Sequence, residues 1–177
     1  MSYLLHLDAS GRQIGSTSRA ASDQHAKQLA AESGLKIRYR DLSQGLPFVN
    51  ETMIEGYFTP DEQRTDAHRD ALKTSDALVE ELMNAKALVI GVPVYNFAVP
   101  ASFKAWADLI ARVGVTVIYN EEGRPVGQFP DMPTKVFVAS GGTEIGSKRD
   151  FATPWMTTFL NYIGIEEIEY LSAATES

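Results

Sequence analysis

The sequence predicts an α/β chain built on a doubly wound parallel sheet, and three observations carry that reading. Short apolar runs alternate along the chain with longer amphipathic stretches. The run Ala87-Leu88-Val89-Ile90 is apolar without a break, as expected of a central strand covered on both faces. It gives way directly to Gly91-Val92-Pro93-Val94-Tyr95-Asn96-Phe97 and then to a helix. A buried strand ending in a polar and aromatic cluster is where open α/β sheets place a ligand.

Taken in order, the first strand covers Tyr3 to Leu7 and yields to a hydroxyl-rich loop, Asp8 to Ser18. A helix from about Ser18 to Ser33 is stopped by Gly34. Ile37 and Tyr39 alternate with Arg38 and Arg40 as a second strand leading to Asp41. Ser43 to Tyr57, with Pro47, reads as irregular. Thr59-Pro60-Asp61-Glu62 then combines a cap, a first-turn proline and a capping-box acid, predicting a helix from there to Asn84. Asp61, Glu62, Asp66 and Asp70 would form its solvated acidic face. Lys86 to Val92 is the third strand. Pro100 opens a helix with Phe103, Trp106, Leu109 and Ile110 on one face. Val115 to Tyr119, the turn at 120–123 and Val126 read as a hairpin excursion. Thr134 to Ala139 is the fourth strand, a helix spans about Thr153 to Tyr162, and Ile165 to Leu171 is the fifth strand. No linker or repeat interrupts this single domain, 1–177. Five strands in this order favour the flavodoxin-like arrangement, order 2-1-3-4-5, with right-handed crossovers.

The length of 177 residues suffices for a substantial core. A net charge of −7 gives no reason to expect nucleic acid or an anionic membrane as partner. The absence of cysteine excludes disulfides, thiolate nucleophiles, cysteine-ligated zinc and iron–sulfur clusters. The N-terminus is not patterned as a signal peptide, and no apolar run approaches the roughly 20 residues of a membrane span. A soluble cytoplasmic protein is the default reading.

In a parallel sheet the loops after successive strands emerge on one edge, so three segments should converge. The first contains Ser10, Ser16, Thr17 and Ser18 at a helix start, where hydroxyls and free backbone N–H groups suit a phosphate dianion. The same serines also fit plain helix capping. The second is Val94, Tyr95, Asn96 and Phe97, offering flat apolar surface and an amide, or alternatively a turn with packing aromatics. The third is Ser140, Gly141 and Gly142, where paired glycines admit close backbone approach, or make a simple turn. The sequence carries neither a G-x-G-x-x-G fingerprint nor a Walker lysine, so a mononucleotide fits better than a dinucleotide or a nucleoside triphosphate. His6, His25 and His68 are scattered and suggest no triad or metal site.

These residues resemble the FMN-dependent NADH azoreductases, which are also NAD(P)H:quinone oxidoreductases, over nearly the whole chain. The resemblance is carried by Pro93-Val94-Tyr95-Asn96-Phe97, by Lys104, Trp106 and Asp108, and by Ala111-Arg112-Val113-Gly114-Val115-Thr116 ending in Tyr119. Leu42 with Pro47, the run Pro154 to Leu160, and Ile163-Gly164-Ile165 add to it. Ser10-Gly11-Arg12 stands where the family has Ser-Pro-Arg. The resemblance implies an FMN phosphate held by Ser10, Ser16, Thr17 and Ser18. It implies an isoalloxazine ring against Val94, Tyr95, Asn96 and Phe97, bordered by Ser140, Gly141 and Gly142. Family members are homodimers with active sites at the interface, and Tyr119, Phe159 and Tyr162 are candidates for the substrate pocket, although Phe159 also reads as ordinary packing.

Some positions depart from the family. Ala9 replaces a frequent second serine, and Ala139-Ser140 precedes Gly-Gly where a Ser-Arg pair can stand. The chain stops at Ala173-Ala174-Thr175-Glu176-Ser177, where the family continues into a final helix. The expectation is an exposed apolar sheet face there, covered by a partner or belonging to a shortened or naturally truncated chain.

The implied chemistry has two steps: NADH or NADPH delivers hydride to the flavin and leaves, and a quinone or azo acceptor then takes the electrons. Hydride transfer calls for stacking at about 3–3.5 Å, so an open apolar flavin face matters more than any acid or base. Backbone N–H groups near Asn96 and Gly141-Gly142 would stabilise charge on the reduced ring. No side chain is singled out as catalytic, and protons would come from water. The rival readings are a flavodoxin-type FMN electron carrier without turnover and, less specifically, a flavin-free hydrolase on the same fold.

Overall fold

The computed structural model describes residues 2–173. Its centre is a parallel sheet of β1 (Tyr3–Asp8), β2 (Lys36–Asp41), β3 (Ala85–Pro93), β6 (Thr134–Ala139) and β7 (Ile168–Ser172). The spatial order is β2-β1-β3-β6-β7. An antiparallel hairpin of β4 (Val117–Tyr119) and β5 (Pro125–Gly127) stands apart from it. Set that hairpin aside and the order is the 2-1-3-4-5 expected from the sequence.

Alternation along each strand divides the core in two. Leu5, Leu7, Leu88, Ile90, Val92, Val136 and Val138 face the larger cluster, together with side chains from α3 (Asp66–Met83), α4 (Ala101–Ile110) and α5 (Ala152–Ile163). The other face, with Leu4, Ala87, Val89 and Phe137, packs on Ala26 of α1 (Thr17–Ser33). β3 is central because both of its faces are buried from Ala87 to Pro93. Gly91 is required within it. A Cβ there would lie 2.2 Å from Asp8 Oδ1 and 2.6 Å from Ser22 Oγ, because α1 crosses close above.

Three boundaries differ from the sequence expectation. Residues 43–57 are not wholly irregular: α2 (Glu51–Phe58) begins there, with Asn50 Oδ1 accepting from the Met53 N–H at 3.0 Å. The next helix is α3, capped by Thr65 rather than Thr59. Thr59 is extended and its hydroxyl donates to the Glu55 carbonyl of α2, while Arg64 Nε donates to the Gly56 and Thr59 carbonyls. Those bonds finish one helix where the sequence suggested the start of another. Asp61 and Glu62 accordingly lie in a short 3₁₀ turn, where Asp61 pairs with Arg64 and Arg69 instead of continuing an acidic helix face. The last strand starts three residues late. Gly164 (φ 105°) ends α5, and the Glu166 and Glu167 N–H groups donate to Asp131 Oδ1 before pairing with β6 begins.

Among the described residues no helix follows β7, and the expectation about residues 174–177 lies outside them. Phe137 is buried with the His25 ring at 5.3 Å, and Lys135 pairs with Glu169 at 3.0 Å beside it. Among the described residues no helix is long and apolar enough to cross a membrane.

Candidate active site

The parallel register brings the three expected loops to one sheet edge. β1 and β3 end side by side, with Asp8 opposite Gly91, and β3 pairs with β6 so that Pro93 stands opposite Ala139. The Val94 N–H donates to the Ala139 carbonyl at 2.7 Å, joining the second loop to the third. The Gly11 N–H donates to the Tyr95 hydroxyl at 3.3 Å, joining the second to the first. A cavity of about 160 Å³ lies between them, lined in part by Ser10, Arg12, Gly15, Ser16, Ser18 and Tyr95. Thr17 lines it as well.

The local chemistry of this cavity suits an anion. It sits at the N-terminus of a 17-residue helix, whose first amides have no intrahelical acceptor. Ser16 Oγ caps the helix by accepting from the Arg19 N–H at 3.4 Å, and lies 3.3 Å from Ser18 Oγ. Ser10, buried at the end of β1, accepts from the Arg12 N–H at 3.2 Å and so curls the loop back. Gly15 at φ 69° makes the turn into the helix. Beside Pro93 and Ala139 the lining offers hydroxyls, backbone and one arginine, with no carboxylate, so the donor set fits a phosphate dianion.

The second loop is a tight turn in which Tyr95 and Ala98 exchange N–H···O bonds of 2.9 and 3.1 Å. Asn96 (φ 50°) and Phe97 (φ 68°) both occupy the left-handed region, which bulky side chains rarely adopt. The turn projects both aromatic rings outward: Tyr95 is 44% and Phe97 51% exposed. Strain of this kind clusters at ligand clamps. In the third loop Gly142 takes φ 127°, open to glycine alone, whereas a Cβ on Gly141 would meet nothing within 4 Å. The Ser140 hydroxyl is spent inside its own loop, donating to the Thr143 carbonyl and accepting from the Thr143 N–H. Its side chain therefore closes the turn rather than reaching outward.

The three expected pocket residues divide. Tyr119 is 55% exposed on β4, while burial, reinforced by the nearby Tyr119, pushes the phenol of Tyr162 on α5 up. Phe159 instead stacks flat on Trp155 at 5.4 Å and meets Trp106 edge-on at 6.2 Å. Phe159 thus packs in an aromatic stack, and the exposed Phe151 and half-buried Trp155 line a cavity of about 320 Å³ nearby.

One cluster behind the first loop escaped the sequence reading. Asp8 and Asp41 are register partners at the ends of β1 and β2, and Arg19 lies between them. Its Nη2 donates to Asp41 Oδ1 at 2.6 Å, and its Nη1 donates to the Tyr39 hydroxyl at 2.6 Å. Tyr39 donates to Asp8 Oδ2, and Ser22 Oγ bridges Asp8 Oδ1 and His6 Nε2. Burial raises the Asp41 carboxyl, but its bonds from Arg19, Ser43 and Gln44 outweigh that and hold it well below the usual carboxylate range. Burial and the Asp8 charge push the Tyr39 phenol up to about 12. Two facing strand-end aspartates were the available signal, since like charges in register demand a counter-ion. His25 and His68 lie elsewhere, against Phe137 and 3.5 Å from Glu55. Among the described residues no acid and histidine cluster is arranged to hold a metal.

Comparison with known proteins identifies the family of the chain. A family model described as the flavodoxin-like fold matches residues 2–176. The chain is 45% identical to FMN-dependent NADH:quinone oxidoreductase 1 of Jannaschia sp. (strain CCS1), over 98% of this chain and 88% of that protein. It is 43% identical to FMN-dependent NADH:quinone oxidoreductase 1 of Hahella chejuensis, over 96% of this chain and 83% of the relative. The fold also superposes on the crystal structure of an FMN-dependent NADH-azoreductase from Bacillus anthracis in complex with FMN. That match has a TM-score of 0.82 at 20% identity and covers 97% of this chain and 86% of the other.

Proposed function

Because the chain belongs to the flavodoxin-like fold family and to the FMN-dependent NADH:quinone oxidoreductases, we propose that it is an FMN-dependent oxidoreductase taking electrons from NADH to a quinone or azo acceptor. The convergence of the three loops at one sheet edge carries this reading. FMN, when bound, supplies the chemistry, accepting a hydride from the nicotinamide and passing two electrons to the acceptor. The protein's part is to bind, orient and shield.

In this proposal Ser10, Ser16, Thr17 and Ser18 hold the phosphate. Val94, Tyr95, Asn96 and Phe97 form the wall for the ring, with the backbone of Ser140, Gly141 and Gly142 along its border. Tyr119 and Tyr162, near enough for one to raise the other's phenol, shape the acceptor pocket, and Phe159 supports it from the Trp155 stack. Donors along 94–97 and 140–142 would stabilise charge as the ring is reduced. His6, on β1, is buried and bonded to Ser22, and in this reading water supplies the protons for the acceptor. NADPH is proposed as a second donor beside NADH. A homodimer with interfacial sites and a cytoplasmic location complete the reading. A carrier without turnover finds no support among relatives that are named as enzymes.

The test is direct. The purified chain should carry, or take up, a yellow flavin identified as FMN by chromatography. It should oxidise NADH with menadione and with an azo dye in a two-step kinetic pattern, and sediment as a dimer. Bound FMN without NADH oxidation would leave the carrier reading, and failure to take up FMN would leave neither.

A further inference from the structure

Arg19, from the first turn of α1, fastens the backbone of the first loop. Its side chain is 11% exposed, and the guanidinium donates from Nη2 to the Ser10 carbonyl at 2.6 Å and from Nε to the Arg12 carbonyl at 3.1 Å. The same group holds Asp41 and the Tyr39 hydroxyl on β2, with Asp8 Oδ2 at 3.6 Å. Its own backbone N–H reaches the Ser16 cap. The loop is thereby fastened to the ends of β1 and β2 through one planar fork, which a lysine ammonium cannot reproduce. The fork also offsets two carboxylates, Asp8 and Asp41, that face each other at the ends of β1 and β2.

We infer that Arg19 is the positioning residue that makes this site prefer a phosphorylated flavin over its unphosphorylated counterpart. It holds the Ser10 and Arg12 backbone in the curled shape and screens Asp8 and Asp41 from the incoming dianion. The inference rests on the FMN reading above. Removing the guanidinium leaves two under-compensated carboxylates behind the loop and frees its backbone, so the phosphate loses its seat. Arg19 itself touches neither ring wall, and the one link from its loop is the long 3.3 Å bond from the Gly11 N–H to the Tyr95 hydroxyl, so riboflavin should lose far less than FMN.

The experiment titrates apo-protein with FMN and with riboflavin by flavin fluorescence, for the native chain, Arg19→Met, Arg19→Lys and Arg19→Met/Asp41→Asn. Arg19→Met should weaken FMN about 30-fold and riboflavin less than about 3-fold, the scale of losing charge-assisted contacts. Arg19→Lys should fall between, and the added Asp41→Asn should recover part of the FMN affinity by removing one of the exposed charges. If circular dichroism shows Arg19→Met unfolded, Arg19→Lys decides on the same ratio. Variants that keep the native FMN-to-riboflavin ratio, or lose both ligands equally, overturn the inference. A native chain that binds neither flavin removes the FMN reading itself.

Discussion

At the scale of single residues, the glycines around the site divide into those the protein demands and those it merely leaves open. Gly91 belongs to the first kind, since its missing Cβ is the space taken by Asp8 Oδ1, Ser22 Oγ and, at 3.0 Å, the Ser18 carbonyl. Gly91→Ala should destabilise by about 2–3 kcal/mol, as overpacking at a helix–sheet contact does, and urea denaturation at neutral pH measures it. Gly141 belongs to the second kind, because nothing in the chain lies within 4 Å of an added Cβ. Gly141→Ala should leave stability within about 1 kcal/mol yet weaken FMN binding, because only a ligand would fill that space. A native-like flavin affinity in Gly141→Ala would take the third loop out of the site. The sequence marked both residues as part of strand-end motifs without separating them. The difference lies in contacts from Asp8, Ser18 and Ser22, which are far from Gly91 along the chain.

At the scale of elements, the strands were legible and the helix boundaries between residues 43 and 66 were not. Apolar runs such as Leu88-Val89-Ile90 and Val136-Phe137-Val138 report burial on both faces directly. The stop between α2 and α3 instead depends on Arg64 reaching back to the Gly56 and Thr59 carbonyls, a contact no local capping pattern encodes. α5 offers a second hidden cap. Asp150 Oδ1 accepts from the Ala152 and Thr153 N–H groups, and Oδ2 accepts from Gly146 and the Thr153 hydroxyl, tying the third-loop segment to the helix start. Burial alone would raise this carboxyl, but the Thr153, Gly146 and Ala152 donors outweigh it and hold it below its ordinary value. A carboxyl depressed on folding stabilises above its unfolded value and loses that contribution as pH falls through the folded one. Asp150→Ala should therefore cost about 1–2 kcal/mol at pH 7, and the gap from the native chain should narrow as the pH drops below about 4. Denaturant midpoints at pH 7 and pH 3 read both; a gap constant with pH would mean that Asp150 contributes as a shape and not as an anion.

At the scale of the whole molecule, the sheet joins segments some 130 residues apart into one proposed site, and the net charge opposes what that site binds. The chain carries −7, and FMN adds a dianion, so on the proposed reading the long-range field should repel the ligand while the helix start and the hydroxyls of residues 10–18 should attract it at short range. Salt screens the first effect far more than the second. FMN affinity should thus hold or rise by about 2-fold as ionic strength goes from about 0.01 to 0.15 M, over which the Debye length shrinks from about 30 to 8 Å. Riboflavin, uncharged, should show no such trend. Binding across three chain-distant loops must also stabilise the fold that joins them. At free FMN about 100 times the dissociation constant the gain is about 2.7 kcal/mol, or about 5–10 °C in melting temperature for a domain of this size. Calorimetry with FMN and riboflavin at two salt concentrations separates the parts. A melting temperature that climbs with FMN concentration and does not fall with salt places the phosphate on the short-range donors of α1. FMN binding that collapses as salt is added would instead assign the attraction to an exposed cation such as Arg12, and would remove the helix start as the anchor.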